Sequence, residues 1–134
     1  VVNGRYKVVK LLLAANANVD ISNQNGTTAL IFAVQTDNMH VVQLLLKAKP
    51  NLDLREYNAN VASFKKRHRT ALLWAVFNKN IDVVKCLIKG KANLDIGDFY
   101  EKSALIYATE LNDAEMVSVL LKANADVEKQ DQFG

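Results

Sequence analysis

The sequence predicts an all-α solenoid of helix–turn–helix pairs joined by β-turn fingers, and an internal repeat is the main reason for this prediction. Residues 26–53 recur with substitutions as residues 70–95 and 103–128, and the second half of the same pattern forms residues 3–20. A unit of this size cannot bury its own apolar face, so stacked neighbours must cover it.

The spacing of the copies fixes the period. Thr70 and Ser103 lie 33 positions apart, and the same interval separates Asp20 from Asp53. Thr28 and Thr70 lie 42 positions apart, so one copy carries 9 additional residues. The prediction is a single domain over residues 1–134, divided into a partial repeat (1–20), a repeat (21–53), a repeat with a 9-residue insertion in its finger (54–95), a repeat (96–128) and the start of a further repeat (129–134).

Each unit has the spacing of two helices. Within residues 29–34 the apolar side chains fall three and four positions apart, as on one face of a helix. The polar residues 36–38 interrupt this pattern, because Asn and Asp tolerate left-handed backbone angles. The apolar run 39–46 then predicts a second, antiparallel helix that lies between neighbouring repeats. In the partial copy, residues 1–3 are expected to end an inner helix and residues 7–15 to form the outer one.

A β-turn finger is expected before each helix pair. Asn25-Gly26 is a strong turn signal because both residues accept positive φ, and His68 takes the place of Gly26 in the next copy. The insertion is placed at residues 56–64, where it extends the third finger. Long loops are tolerated and unusual ones tend to carry function, so a functional loop and a neutral surface insertion both remain open.

Two motifs in these units resemble the ankyrin-repeat family. The family's Gly-x-Thr-Pro-Leu-His-x-Ala stretch corresponds to residues 26–33, which read GTTALIFA. Its Val-Val-x-x-Leu-Leu stretch corresponds to residues 8–13, 41–46 and 83–88. The resemblance covers essentially the whole chain. It implies an ankyrin-repeat solenoid that binds other proteins on the concave face of its fingers and inner helices.

The chain departs from the family pattern at three positions of the repeat. Alanine replaces the family proline, an aliphatic residue replaces the family histidine, and Asn or Lys replaces the glycine that ends the second helix. These residues are Ala29, Ala71 and Ala104 for proline, Ile31, Leu73 and Ile106 for histidine, and Asn16, Lys49, Lys91 and Asn124 for glycine. A distorted turn is expected at Lys49, because residues before a proline avoid helical backbone angles.

Composition and charge limit the class of protein. Half of the 134 residues are hydrophobic and 23% are charged, which is typical of a folded domain. No apolar run reaches the roughly 18–20 residues of a membrane span, and a net charge of +3 does not by itself indicate a nucleic-acid binder. The single cysteine, Cys86, is expected to be a small buried hydrophobe in a reducing compartment. We therefore expect a cytoplasmic or nuclear protein, and the repeat pattern at both ends suggests part of a longer array.

The sequence contains no recognisable catalytic pattern. It lacks a Gly-x-Ser-x-Gly elbow, a Cys-x-x-Cys pair, a His-Glu-x-x-His motif and a Gly-rich phosphate loop, and its two histidines, His40 and His68, lie on different repeats. Asp20, Asp53 and Asp95, with Glu128, recur with the structural period, so we interpret them as hydrogen-bonding scaffold. We expect no enzyme activity, no cofactor and no metal.

The resemblance also implies which residues contact a partner, since the family's variable contact positions can be carried over one at a time. They are Gln24, Asn25, Thr27, Gln35 and Thr36 in the second repeat, Lys66, Arg67, Arg69, Phe77 and Asn78 in the third, and Phe99, Tyr100, Lys102, Glu110 and Leu111 in the fourth. The centre of this surface is expected around the basic and aromatic members of the third and fourth repeats.

Three features of this surface have alternative interpretations. Basic residues 65–69 could bind an acidic or phosphorylated partner, bind RNA or act as a nuclear import signal, or could simply keep a protruding loop soluble. Residues 99–100 could anchor an interface, or could pack against the neighbouring finger or against the long loop of the third finger. Phe32, Trp74 and Tyr107 occupy one position in successive copies and could form core or a partly exposed stripe.

The predicted function is that of a monomeric scaffold that binds another protein, whose contacting segment would be acidic or phosphorylated. The alternative is the targeting arm of a larger effector enzyme or a ubiquitin-ligase adaptor, with any chemistry outside these residues. Nucleic-acid binding through residues 65–69 is a third hypothesis, and it would make affinity depend steeply on salt.

Overall fold

Seven α-helices form the described part of the chain, as the repeat pattern predicts. The computed structural model describes residues 2–57 and 68–134. The helices are α1 (Val2–Ala14), α2 (Ala29–Gln35), α3 (Met39–Lys47), α4 (Ala71–Phe77), α5 (Ile81–Lys89), α6 (Ala104–Glu110) and α7 (Ala114–Lys122). Within these residues no strand forms, although an isolated β-bridge joins Ser22 to Thr28 at the base of one finger. The all-α prediction is confirmed, and no helix in the described residues is long and apolar enough to cross a membrane.

The first helix differs from the prediction. No break separates residues 2–3 from the segment that begins at residue 7, and one helix runs continuously over Val2–Ala14. The complete repeats break between their two helices at Asp37, Lys79 and Asn112, where φ lies between 54° and 56°. Gly4, 33 positions before Asp37, could accept such an angle but does not adopt it. Arg5 stands where the outer helices have Asn38, Asn80 or Asp113, and it has no side-chain oxygen to cap a second helix. Nothing therefore ends the helix at this point, and the predicted break is wrong.

Polar side chains begin both helices of every complete repeat. Each one accepts a hydrogen bond from the backbone N–H of the third helical residue. The capping residues are Thr28, Thr70 and Ser103 for the inner helices and Asn38, Asn80 and Asp113 for the outer helices. Such a cap contributes about 0.5–2 kcal/mol, so the sequence itself fixes where each helix begins.

The helices pack in two layers. The inner helices α2, α4 and α6 lie side by side, each outer helix packs on the inner helix of its own repeat, and α1 packs on α3. Residues 71–76 of the central helix α4 are all buried. Leu45, Leu87 and Leu120 occupy equivalent outer-helix positions and are 2%, 0% and 0% exposed, as a stacked solenoid requires. Cys86 is half-buried rather than buried, like the residues at the equivalent position of α3 and α7.

Each outer-helix segment ends at a residue with left-handed backbone angles. Asn16, Lys49, Lys91 and Asn124, which replace the family glycine, have φ between 51° and 66°. After three of them, the N–H of the following alanine donates to the carbonyl oxygen five residues earlier, at 3.0 to 3.1 Å. Pro50 follows Lys49 and has no N–H, so this repeat lacks that bond. Lys49 nevertheless keeps a φ of 51°, so the expected distortion is wrong and the difference is one hydrogen bond.

The periodic aspartates join successive repeats. The carboxylate of Asp20 accepts the backbone N–H of Asn51 at 2.9 Å. Asp53 and Asp95 accept the equivalent N–H of the following repeat at 2.8 Å. Their spacing therefore follows from the stacking of the units, in agreement with the scaffold interpretation.

The insertion in the third finger begins later than predicted. The N–H of Glu56 donates to the carbonyl oxygen of Arg69, just as the N–H of Asn23 donates to the carbonyl of Thr27 at the base of the second finger. Glu56 is therefore the base of the third finger and not part of the insertion, because it makes the pairing that closes the loop. Tyr57 is also described, whereas residues 58–64 of the predicted insertion, and Lys65, Lys66 and Arg67 after them, lie outside the described residues.

Candidate functional site

The fingers and the ends of the inner helices present most of the predicted contact residues to solvent. Those classed as exposed are Gln24, Asn25, Thr36, Phe77, Asn78, Phe99 and Glu110. Those that are half-buried are Thr27, Gln35, Arg69, Tyr100, Lys102 and Leu111. Lys66 and Arg67 fall in the stretch that the structure does not describe, so their part of the predicted centre has no structural account.

Arg69 lies at the centre of an aromatic cluster. Its guanidinium carbon is 4.2 Å from the ring centroid of Phe77, 4.8 Å from that of Trp74 and 5.5 Å from that of Tyr107. The rings of Trp74 and Phe77 meet edge to face, with centroids 5.8 Å apart. Cation–π contacts of this kind hold the guanidinium in one position and preserve its charge. Two predicted contact residues, Arg69 and Phe77, are thus brought together with Trp74 and Tyr107. These two rings and Phe32 occupy one inner-helix position in successive repeats and form an aromatic ladder.

A hydrogen-bonded chain connects Arg69 to the fourth finger. The guanidinium donates to the hydroxyl of Tyr107 at 3.4 Å, and that hydroxyl donates to the carboxylate of Asp98 at 2.6 Å. Asp98 is 3% exposed and also accepts the backbone N–H groups of Tyr100 and Lys102. Burial, and then the bond to Asp98, raise the pKa of Tyr107 above its ordinary value of 10.0. These hydrogen bonds between Arg69, Tyr107 and Asp98 fix the fourth finger against the inner helix α6.

Arg69 keeps unused hydrogen-bonding capacity. Its Nε atom is buried and donates to no acceptor in the described structure. A guanidinium carries five N–H donors in a rigid fork that matches a carboxylate or phosphate. The aromatic rings hold this fork without neutralising it, so Arg69 can still pair with an acidic group that reaches it.

Glu56 forms a second buried centre, which the sequence interpretation missed. It is 7% exposed, and its two carboxylate oxygens accept the indole N–H of Trp74 and the side-chain amide of Gln35, each at 2.8 Å. The sequence interpretation placed Glu56 in the insertion, so it did not predict that Glu56 accepts hydrogen bonds at the base of the third finger. The available signal was the acidic or amide residue at the base of the other fingers, Asn23 and Asp98.

The polar tips of the aromatic ladder explain its mixed exposure. Phe32 is 48% exposed, Trp74 is 8% exposed and Tyr107 is half-buried. Trp74 and Tyr107 each donate to an acid at the base of a finger, Glu56 and Asp98 respectively. The ladder is therefore neither uniform core nor a uniformly exposed stripe.

Residues at the fingertips pack against one another. The ring of Phe99 lies 5.5 Å from that of His68 and 5.2 Å, edge to face, from that of Tyr100. Tyr100 stacks on Phe133 of the next finger, with centroids 6.2 Å apart. The interpretation that these aromatics pack on neighbouring fingers is correct, and Phe99 still leaves 37% of its surface exposed.

Several other predicted contact residues already have partners within the chain. The ammonium of Lys102 pairs with Glu110 at 2.6 Å, and this hydrogen bond raises the pKa of Lys102. The side-chain amide of Asn78 donates to the carbonyl of Val34 at 3.1 Å and ties the end of α4 to α2. An exposed ion pair contributes little to stability, so Lys102 and Glu110 can each exchange this partner for a charged group of another protein.

Comparison with known proteins agrees with this architecture. The family model described as ankyrin repeats (3 copies) matches residues 1–88 and residues 52–131. A search of curated proteins found no significant match. The stacked helix pairs, the β-turn fingers and a family match over nearly the whole length together show that the chain belongs to the ankyrin-repeat family.

Proposed function

We propose that the chain binds another protein through the face formed by its fingers and inner helices. Ankyrin repeats in general are protein-interaction modules and are typically not catalytic. The observation that supports a specific centre is Arg69, whose guanidinium is held by three aromatic rings while its buried Nε has no acceptor in the described residues.

The proposed partner offers an acidic segment to this centre. Arg and aromatic side chains dominate the energetics of protein interfaces, and Phe77 beside Arg69 is 45% exposed. A carboxylate or phosphate of the partner would pair with the terminal N–H groups of Arg69, since Nε is buried, while an apolar group covers Phe77. The rings and the guanidinium already hold one another in place before the partner binds. This pre-organisation lowers the entropy cost of binding.

Nucleic-acid binding is less well supported than this proposal. It depends on residues 65–69, of which 65–67 lie outside the described structure. The described members of the stretch, His68 and Arg69, contact aromatic rings of the array rather than forming a separate basic stripe.

Substitutions at Arg69 and Phe77 test the proposal. The wild-type full-length protein is first used to isolate a partner, and the affinity of that partner for each variant is then measured. We expect Arg69→Gln and Phe77→Ala each to weaken binding by about 2 kcal/mol or more, as interface hot spots do, when affinity is measured by calorimetry. Lys85→Gln is the matched control, because Lys85 is an exposed cation on the outer helix α5.

Binding should also weaken as salt is raised, since an acidic segment pairs with an accessible guanidinium. Circular dichroism melts separate lost binding from lost folding. An affinity that stays unchanged in both centre variants, with the fold intact, contradicts the proposed centre, and equal losses in Lys85→Gln contradict its location.

A further inference from the structure

A polar cavity lies between the second and third fingers, next to the Arg69 cluster. Its volume is about 370 Å³, and residues from both fingers and from α2 line it. The lining residues that matter here are Asn25, Thr27, Phe32, Gln35, Glu56 and Tyr57. Nothing in the proposed acidic contact at Arg69 uses this cavity.

Glu56 gives the cavity a negative charge that no ion pair balances in the part of the chain that the structure describes. Its oxygens accept hydrogen bonds from two neutral donors, the indole of Trp74 and the amide of Gln35. Within the described residues, no Lys or Arg forms an ion pair with Glu56. A carboxylate can accept about four hydrogen bonds, so acceptor capacity remains. Since a buried charge is costly unless it is paired, an external cation would find a favourable site.

Two aromatic side chains line the cavity, and their rings can contact both the charged end and the methylene groups of a lysine or arginine side chain. Phe32 and Tyr57 both line the cavity and are both 48% exposed. The face of Phe32 already accepts a guanidinium, since the Arg5 head group lies 5.6 Å from its centroid. Basic side chains bury their methylene stems against apolar groups and keep their charged ends near polar atoms.

The Tyr57 wall is held firmly. Its backbone N–H donates to the carbonyl of Asn25 at 2.6 Å. Its ring lies against Gly26, where φ is 72° and an added Cβ would come within 2.7 Å of the ring. The cavity is therefore largely formed before any ligand arrives.

We propose that this cavity binds a lysine or arginine side chain of the partner protein, with Glu56 as the counter-charge. The inference rests on the proposed function and adds to it. The backbone N–H of Glu56 is hydrogen-bonded to the carbonyl of Arg69. The cavity at Glu56, which would bind a basic side chain, is therefore adjacent to Arg69, which would bind an acidic one. The partner segment would then carry a basic and an acidic residue close together, which is a more specific requirement than an acidic segment alone.

The indole N–H of Trp74 provides a direct readout of this cavity. Trp74 is the single tryptophan of the chain and donates to Glu56, so one NMR resonance reports on the carboxylate. The probes are the blocked amino acids N-acetyl-arginine methylamide and N-acetyl-lysine methylamide. N-acetyl-citrulline methylamide is the neutral match for the arginine probe. We expect a saturable shift of the Trp74 resonance with at least one basic probe and none with citrulline.

Variants assign the effect to the cavity. Glu56→Gln should abolish the shift, and Tyr57→Ala, which keeps the carboxylate, should weaken binding of the basic probe roughly tenfold. Glu115→Gln, a change at an exposed acid on α7, should leave it unchanged. No saturable shift with either basic probe, or an equal shift with citrulline, overturns the inference, as does an undiminished shift in both cavity variants. These probes need no partner, so their failure is distinguishable from a failure of partner binding at Arg69.

Discussion

Glu56, Arg69 and Asp98 each place a charged group against an aromatic side chain of an inner helix. Glu56 accepts from Trp74, Arg69 lies over the Trp74 ring, and Asp98 accepts from Tyr107. These polar contacts fasten the fingers to the helices behind them. Because buried polar groups are costly without partners, the fingers gain fixed positions rather than behaving as free loops.

Removal of one hydroxyl tests this fastening. We expect Tyr107→Phe to lower the free energy of unfolding by about 1–3 kcal/mol, because Asp98 then loses a donor while it stays buried. Urea unfolding at neutral pH measures the loss. Ile21→Val is a suitable control, since Ile21 is 70% exposed and lies in another finger. A Tyr107→Phe variant as stable as the wild type contradicts the fastening role.

The same hydroxyl should make stability depend on alkaline pH. Burial and the bond to Asp98 raise the pKa of Tyr107 in the folded state above 10.0, so above about pH 10 the unfolded chain loses this proton first. Stability from Tyr107 is complete below pH 10 and is lost as pH rises through the folded-state pKa. The wild type should therefore lose more stability than Tyr107→Phe when unfolding is compared between pH 9 and pH 11. Parallel pH profiles for the two proteins would show that Tyr107 does not contribute.

At the scale of elements, capping side chains determine where the short helices begin. α4 has seven residues, and the buried hydroxyl of Thr70 accepts the N–H of Leu73 at 3.2 Å. Helices this short are marginal alone, so the cap and the packing must act together.

The cap of α4 gives a quantitative prediction. Thr70→Ala should lower the free energy of unfolding by about 0.5–2 kcal/mol, because one N–H at the helix start loses its acceptor. Thr70→Ser keeps the hydroxyl and should cost much less, as Ser103 serves the same purpose in α6. Denaturant unfolding of both variants measures the difference. Equal losses would assign the effect to the missing methyl group rather than to the cap.

The elements also show where prediction from sequence succeeds and where it does not. The breaks at Asp37, Lys79 and Asn112 follow a local pattern, and the caps before each helix do the same. The continuous α1 and the position of Glu56 could not be predicted equally well. In α1, Arg5 stands where the other outer helices have a capping Asn or Asp. The position of Glu56 depends on pairing across a loop whose length differs from that of the other copies.

For the whole molecule, the 33-residue period was enough to predict the stack, because each unit repeats the same burial. Equivalent leucines such as Leu87 and Leu120 are buried alike. The candidate site does not follow the period. Arg69, Glu56 and Tyr107 differ from their counterparts in other repeats, and two of their hydrogen bonds join residues 18 and 38 positions apart. The family resemblance predicts a contact surface on the fingers and inner helices. The aromatic cluster around Arg69 and the cavity at Glu56 depend on the three-dimensional packing, which the repeat pattern does not predict.

The central claim is that a protein partner occupies the face of fingers and inner helices rather than the outer helices. Hydrogen–deuterium exchange of the complex with an isolated partner tests it most directly. We predict slower exchange in the finger residues 23–27 and 98–102 and in the last turns of α2, α4 and α6, with little change in α3, α5 and α7. Protection confined to the outer helices, with unchanged exchange in the fingers, would contradict the account.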